Sequence, residues 1–231
     1  MANKTLPNTS VFCYNRINTM ATARKKSQVI YCVFKRILDI IFSLIGLVLL
    51  FPIIIVVGPI IKLQDGGPIF FKQTRTGKKG KDFDLIKFRS MPVDNDVRNF
   101  EKEDQMTKFG SFIRKTSIDE LPQCWNILKG EMSFIGPRPW IPEYYHNMTE
   151  SQRRRFVVRP GITGLAQVKG RNNIPVTKKI RYDLEYINNF SLLQDVKITF
   201  LTVRTVLKKE SACGSKRTVQ DELRELKGEK Q

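Results

Sequence analysis

The chain has 231 residues, of which 41% are hydrophobic and 10% aromatic, and this content excludes a largely disordered protein. Its formal net charge of +18 restricts the expected partners to anions, namely nucleic acid, anionic lipid or phosphate-bearing small molecules. The 4 cysteines are scattered without a CxxC spacing, which disfavours a zinc site or a disulfide framework. His146 is the single histidine, so we expect a carboxylate, rather than a histidine-centred triad, to carry any acid, base or nucleophilic role.

The N-terminal part of the chain predicts a membrane-inserted segment. Residues 1–34 show no periodicity, and we expect a flexible extension there. Leu38 to Ile61 has transmembrane length and a single charge, Asp39. Lysine and arginine flank it on both sides, which conflicts with one crossing under the positive-inside rule. A helix broken at Pro52 would enter and return on one face, whereas a spanning helix that tolerates the proline is the alternative for residues 35–62.

The next residues predict a β-hairpin and the start of the main domain, residues 63–209. PIFFKQTR and DFDLIKFRSM are rich in β-formers and are separated by the turn TGKKGK. The GKKGK run lacks the spacing and the final Ser or Thr of a phosphate-binding P-loop. A charged stretch over 94–108 is expected to be helical. Residues 132–142 and 158–164, MSFIGPRPWIP and VRPGITG, are expected to be proline-shaped loops and not regular helix or central strand.

The C-terminal third predicts helices. Residues 176–209 suit two helices separated near Ser191. The second, VKITFLTVRTVLKK, mixes apolar and basic positions as an interfacial helix does, although a soluble amphipathic helix has the same pattern. Residues 210–231 are expected to be a charged tail with little helix. The expected fold class is therefore α+β and mainly helical, with a small β-hairpin and interfacial amphipathic helices.

The octapeptide TSIDELPQ contains an adjacent acidic pair, Asp119 and Glu120, that has two interpretations. Ser117 and Glu120 have the spacing of a helix capping box, and an apolar run ending at Gly130 follows. The other interpretation is that the pair does chemistry. Pro122 would lie where the capped helix needs a backbone donor, so the helix start is expected to be irregular or one turn later.

Three arginines lie near this pair or in the rigid loops. Arg138 belongs to GPRP, Arg159 belongs to RPG, and Arg114 precedes Asp119 by five positions. A guanidinium binds phosphate oxygens bidentately, and a rigid loop lowers the entropy cost of holding it in place. The arrangement suits a diphosphate, whereas any one of these arginines alone could equally be solvated surface charge.

Six motifs occur in the order found in a known family. They are KRILD (35–39), KFRSM (87–91), SIDELPQ (117–123), LKGEMSFIGPRP (128–139), VRPGITGLAQVKGR (158–171) and RYDLEYINNFSLLQD (181–195). From about residue 35 to 209 the chain resembles the bacterial sugar transferases, the monotopic phosphoglycosyl transferases that act on polyprenyl phosphate. The resemblance implies transfer of a sugar-1-phosphate from a UDP-sugar to undecaprenyl phosphate, with release of UMP, as a first membrane step of a surface glycan pathway.

The resemblance also implies roles for individual residues. Asp119 would be the nucleophile that takes the phosphosugar covalently, and Glu120 would help to orient it and a Mg²⁺ ion. Phosphates of donor and acceptor would be held by the three arginines, and Lys87 would lie near the nucleotide. The implied location is the bacterial inner membrane, with the catalytic domain on the cytoplasmic face next to anionic lipids and no nucleic acid partner.

The chain departs from the family pattern at the membrane break, where Phe51 replaces the common serine before Pro52. KRILD still permits ion pairs at helical spacing, from Lys35 or Arg36 to Asp39. The competing function is a membrane-tethered protein that binds nucleic acid or anionic lipid. It would explain the charge but not the acidic pair among proline-arginine loops. No motif identifies the sugar or an oligomeric state.

Overall fold

The computed structural model describes residues 9–92, 107–170, 174–207 and 218–227. A helix of 57 residues, α1 (Thr9–Asp65), precedes a small domain with two strand pairs. The strands are β1 (Phe70–Thr76) with β2 (Asp82–Phe88), and β3 (Ser133–Ile135) with β4 (Gly161–Thr163). The other helices are α2 (Lys108–Lys115), α3 (Gln123–Lys129), α4 (Pro142–Asn147), α5 (Glu150–Arg153), α6 (Leu165–Gly170), α7 (Val176–Asn188), α8 (Leu192–Leu207) and α9 (Val219–Lys227). The predicted mainly helical α+β class is confirmed.

Helix α1 runs through both of its prolines, so the predicted break of the helix at Pro52 is absent. Pro52 and Pro59 are exposed, and packing on either side of them holds the helix together despite the lost backbone donors. Leu50 and Ile61 are buried in one apolar cluster with the β1–β2 hairpin and α2. Residues 9–34, predicted to be a flexible extension, form the first part of the same helix.

The surface of α1 agrees with membrane association. Ser27–Gln64 is long and apolar enough, by length and composition, to cross a membrane. Only 17% of its most apolar 18-residue stretch is buried against the rest of the protein. The large apolar side chains exposed on this helix include Ile41, Phe42, Leu44, Ile45, Val48, Leu49, Phe51, Ile55, Val56 and Ile60. Contiguous apolar patches of this extent are rare on soluble monomers and mark membrane or protein contact sites, so this surface suits membrane association.

The predicted hairpin is confirmed as the antiparallel pair β1–β2. Its turn contains Lys79 and Gly80 with positive φ angles of 59° and 76°. The strands bury side chains on two sides. Leu85 and Phe83 pack with α3 and β3, while Phe88 packs with α1 and α2. The hairpin is therefore the layer that joins α1 to the rest of the domain.

The two proline-rich segments are joined by a short parallel pair that the sequence did not predict. The segment 132–142 contains β3, and 158–164 contains β4, so both predictions of loop without strand are wrong over three residues each. The prolines of the first segment lie after β3, where they remove no ladder hydrogen bond. A Cβ atom on Gly161 would lie 2.2 Å from the nitrogen of Gly136, so glycine is required at this close approach.

The C-terminal helices enclose the opposite side of the domain. Helices α7 and α8 confirm the prediction of two helices separated near Ser191. Helix α9 corrects the prediction of a weakly structured charged tail, because Leu226 is buried with Tyr144, Val176 and Ile180. The helix predicted over 94–108 lies almost entirely outside the described residues.

Candidate active site

The acidic pair lies in a tight turn between α2 and α3 and does not cap a helix. Ser117 adopts a left-handed conformation with φ of 58° and makes no capping hydrogen bond with its side chain, so the capping-box interpretation is wrong. Residues 118–120 form one turn of 3₁₀-helix. Helix α3 begins at Gln123, one turn later, as the position of Pro122 predicted. Gly130 ends it with φ of 86°, again as predicted.

Glu120 is held by two cations through a single oxygen. Lys87 Nζ donates to Oε1 at 2.9 Å and Arg138 Nη2 donates to the same atom at 3.1 Å. Burial acts to raise the pKa of Glu120, but Lys87 and Arg138 outweigh it and lower the pKa to about 2. Glu120 is therefore ionised at neutral pH, and its Oε2 makes no hydrogen bond within the described residues.

Asp119 is more deeply buried than Glu120 and less engaged. The residue is 5% exposed, and its closest cation is Lys87, with Nζ at 4.0 Å from Oδ2. No hydrogen bond reaches its carboxylate from the part of the chain that the structure describes. Burial raises the pKa of Asp119, and Glu120 adds to this, while Lys87, Arg114 and Arg138 oppose it. The result is a carboxylate with unoccupied oxygens in a cationic environment.

The structure brings three of the four predicted cations to Asp119 and Glu120 and gives the fourth a different contact. Lys87 and Arg138 contact Glu120 directly, and Arg114, in the last turn of α2, is close enough to influence the Asp119 pKa. Arg159 instead donates from Nε to the carbonyl of Gly130 at 2.8 Å, at the C-terminal end of α3. Carbonyls at the end of a helix lack backbone partners, and cations are favoured there.

The residues predicted for the membrane segment bind the domain and not each other. Lys35 pairs with Asp195 of α8, and Arg36 donates to the carbonyls of Ile127 and Leu128 in α3 at 2.6 and 2.8 Å. Asp39 accepts from the Ser133 hydroxyl at 3.0 Å and the Phe134 amide at 3.2 Å. The predicted ion pairs within KRILD are therefore wrong. These three side chains fasten α1 to three separate elements.

Arg155 is a buried arginine that supports the GPRP segment. In the sequence it is only one member of the basic run RRRF. Arg155 donates from Nε and Nη2 to Asp183 Oδ2 at 2.9 and 2.7 Å. Its Nη2 also donates to the carbonyl of Arg138 at 2.8 Å, and its guanidinium lies 3.9 Å from the centre of the Trp140 ring. Sequence reasoning missed this role because its partner, Asp183, lies 28 residues away in α7.

Comparison with known proteins tests the family resemblance. The model of the bacterial sugar transferase family matches residues 30–209. The chain is 45% identical to the uncharacterized sugar transferase EpsL of Bacillus subtilis over 180 residues, covering 77% of this chain and 89% of EpsL. It is also 45% identical to a UDP-glucose:undecaprenyl-phosphate glucose-1-phosphate transferase of Klebsiella pneumoniae, covering 74% of this chain and 39% of that protein. The exopolysaccharide production protein ExoY of Sinorhizobium fredii is 36% identical, covering 74% of this chain and 84% of ExoY.

The chain thus spans nearly all of EpsL and about two-fifths of the Klebsiella transferase. The shared region contains α1 from residue 30, the acidic pair and both proline-arginine segments. The family predicted from the six motifs is confirmed, and the chain belongs to the bacterial sugar transferase family.

Proposed function

We propose that the protein transfers a sugar-1-phosphate from a UDP-sugar to undecaprenyl phosphate through a covalent intermediate on Asp119. The observation that carries the proposal is the unequal use of the two adjacent carboxylates. Glu120 is bound by Lys87 and Arg138, whereas Asp119 makes no hydrogen bond within the described residues. A nucleophile needs free oxygens, and a neighbour fixed by cations keeps it in position.

The first step joins Asp119 to the sugar phosphate. An Oδ oxygen of Asp119 attacks the donor phosphorus nearest the sugar, and the bond from that phosphorus to the bridging oxygen breaks. The electron pair leaves with UMP. In the second step, a phosphate oxygen of undecaprenyl phosphate attacks the same phosphorus, which forms the diphosphate and returns the Asp119 carboxylate. Lys87, Arg138 and Arg114 offset the repulsion between carboxylate and phosphates in both steps.

The residues present also fit a Mg²⁺ ion. No cluster of three or more His, Cys, Asp or Glu suited to a metal occurs among the described residues. Mg²⁺ is commonly held by one or two carboxylates together with substrate phosphates and water, so two carboxylates suffice. One Asp119 oxygen and Glu120 Oε2 would hold it, and the other Asp119 oxygen would stay free for attack. When bound, the ion would neutralise charge on the donor diphosphate.

Both ends of the membrane segment contact the same domain, which supports the proposal that they lie on one membrane face. Lys35 pairs with Asp195, and Ile61 is buried against the hairpin and accepts from Arg89 Nη2 at 3.4 Å. As a straight helix, the stretch from Lys35 to Ile61 would be roughly 39 Å long, which is more than the hydrocarbon core of about 30 Å. If it crossed, the two ends would lie on opposite faces. We therefore propose a cytoplasmic catalytic domain on the inner membrane, next to its lipid acceptor.

The test is UMP release by the detergent-purified protein given UDP-sugars, undecaprenyl phosphate and Mg²⁺. UDP-glucose and UDP-galactose come first, because relatives in Klebsiella pneumoniae and Erwinia amylovora are named for these donors. Incubation with donor alone should leave a sugar-phosphate adduct on the Asp119 peptide, detectable by mass spectrometry. Asp119→Asn should lose several orders of magnitude of activity because an amide is a poor nucleophile. An active Asn variant with no trapped adduct would contradict the mechanism.

A further inference from the structure

Arg75 is a partly buried cation beside the candidate active site to which neither the motifs nor the mechanism above gives a role. It lies on β1, on the same face as Gln73. Its Nη1 donates to the carbonyl of Pro139 at 3.4 Å, and its Nη2 donates to Oε1 of Gln73. Pro139 follows Arg138 directly, and the charge of Arg138 is close enough to lower the pKa of Arg75, so the two guanidinium groups are neighbours in the site.

The charge of Arg75 has no ionic partner in the described parts of the chain. Its Nε is buried without a hydrogen bond, and no carboxylate lies within ion-pair distance. The acidic residue that acts on Arg75 is Glu143, which favours its charged form but makes no ion pair with it in the described parts of the chain. Burial and the neighbouring Arg138 lower the pKa of Arg75 to about 10, so it remains protonated at neutral pH. A cation whose Nε is buried next to a second cation is unfavourable unless an anion joins them.

A purely structural role explains this arrangement poorly. The single contact of Arg75 with the GPRP segment is long, at 3.4 Å, and an uncharged donor could make it. By contrast, Arg155 holds the same segment with a full carboxylate partner and a bond of 2.8 Å to the Arg138 carbonyl. The segment is therefore fastened without Arg75, whose remaining capacity is a positive charge and an unused N–H donor.

We propose that Arg75 and Arg138 together form a two-guanidinium subsite for the diphosphate of the donor. Arg138 is the exposed member, with 44% of its side chain accessible, and it contacts the anion first. Arg75 is the less exposed member and contributes charge and a donor beside it. This assignment rests on the proposed transfer reaction for the identity of the ligand, but anion binding at the two arginines can be measured without turnover.

The experiment uses inorganic pyrophosphate as the probe and compares Arg75→Met and Arg75→Lys with a matched control. Lys72→Met removes the same charge from the same strand, but Lys72 lies on the opposite face and is exposed. Pyrophosphate binding to full-length protein in detergent is measured by calorimetry and by the rise in melting temperature. We expect Arg75→Met to bind pyrophosphate about tenfold more weakly, as for loss of one charge-assisted hydrogen bond. Arg75→Lys should be intermediate, and Lys72→Met should bind like the unaltered protein.

The stability of the ligand-free variants separates binding from structure. Met has a similar length without the unpaired charge, so Arg75→Met should melt at or above the temperature of the unaltered protein. Normal pyrophosphate affinity in Arg75→Met, a melting temperature well below that of Lys72→Met, or no binding by the unaltered protein would each overturn the subsite. Loss of binding in Arg75→Met without UMP release by the unaltered protein would leave the subsite standing and overturn the proposed function.

Discussion

Replacing Asp183 with Asn should destabilise the fold strongly, because it leaves a buried guanidinium without its carboxylate. The side chains of Arg155 and Asp183 are 1% and 2% exposed, and their closest contact is 2.7 Å. Removing one member of a buried pair costs about 3–5 kcal/mol. For a chain of this size each kcal/mol lowers the melting temperature by about 2–4 °C, so we expect a fall of roughly 6–20 °C.

The matched control lies on the same helix. Lys169 and Glu185 form a pair at 3.2 Å with side chains 39% and 43% exposed. Water screens such a pair, so Glu185→Gln should change the free energy of unfolding by less than about 1 kcal/mol. Thermal unfolding in detergent, followed by intrinsic fluorescence, compares the two variants. If Asp183→Asn melts within about 2 °C of Glu185→Gln, the buried pair does not stabilise the domain as argued.

Three further predictions concern the site and the membrane helix. Arg138→Ala should lower kcat/KM at least tenfold and lower the melting temperature only slightly, because Lys87 still binds Glu120. Arg159→Ala should lower the melting temperature because it uncaps α3. If both variants lose activity equally and neither loses stability, Arg159 also binds phosphate. The folded pKa of Glu120, about 2, lies below its ordinary value of 4.5, so its ionised form stabilises the fold above that ordinary value, and the contribution disappears as the pH falls towards 2. Glu120→Gln should therefore weaken the fall of melting temperature in acid, and an unchanged profile would contradict the ion pairs. Because α1 runs through Pro52 without a break, Pro52→Leu should leave the topology unchanged, and thiol labels before Lys35 and after Ile61 should both report one membrane face; labels on opposite faces in the variant would show that the proline has a topological role.

Local chemistry was sufficient to predict the elements whose causes lie within a few residues. The hairpin followed from two runs of β-formers around a glycine turn, and the end of α3 followed from Gly130. The irregular start of the same helix followed from Pro122, which lacks the needed donor. In each case, the residues that determine the backbone are adjacent in the chain.

Long-range partners explain the failures. Arg36 was expected to pair with Asp39, four residues or fewer away, but each found a better partner about 90 residues later. The phosphate role of Arg159 stays a prediction, but its loop did not predict the hydrogen bond that its Nε donates to the carbonyl of Gly130. Helical spacing and loop composition describe what a side chain can reach locally. They contain no information on which backbone groups another segment leaves unpaired.

Helix α9 has a practical consequence for anyone shortening this protein to its family region. The matched region ends at residue 209, whereas Leu226 completes an apolar cluster, and Glu222 receives bonds from Tyr144 and Lys179. A truncated chain ending at 209 would expose that cluster to water and leave the Tyr144 hydroxyl without its acceptor. Because Trp140 packs on Tyr144, the damage would extend towards the GPRP segment. The unit of sequence similarity is thus smaller than the unit that folds.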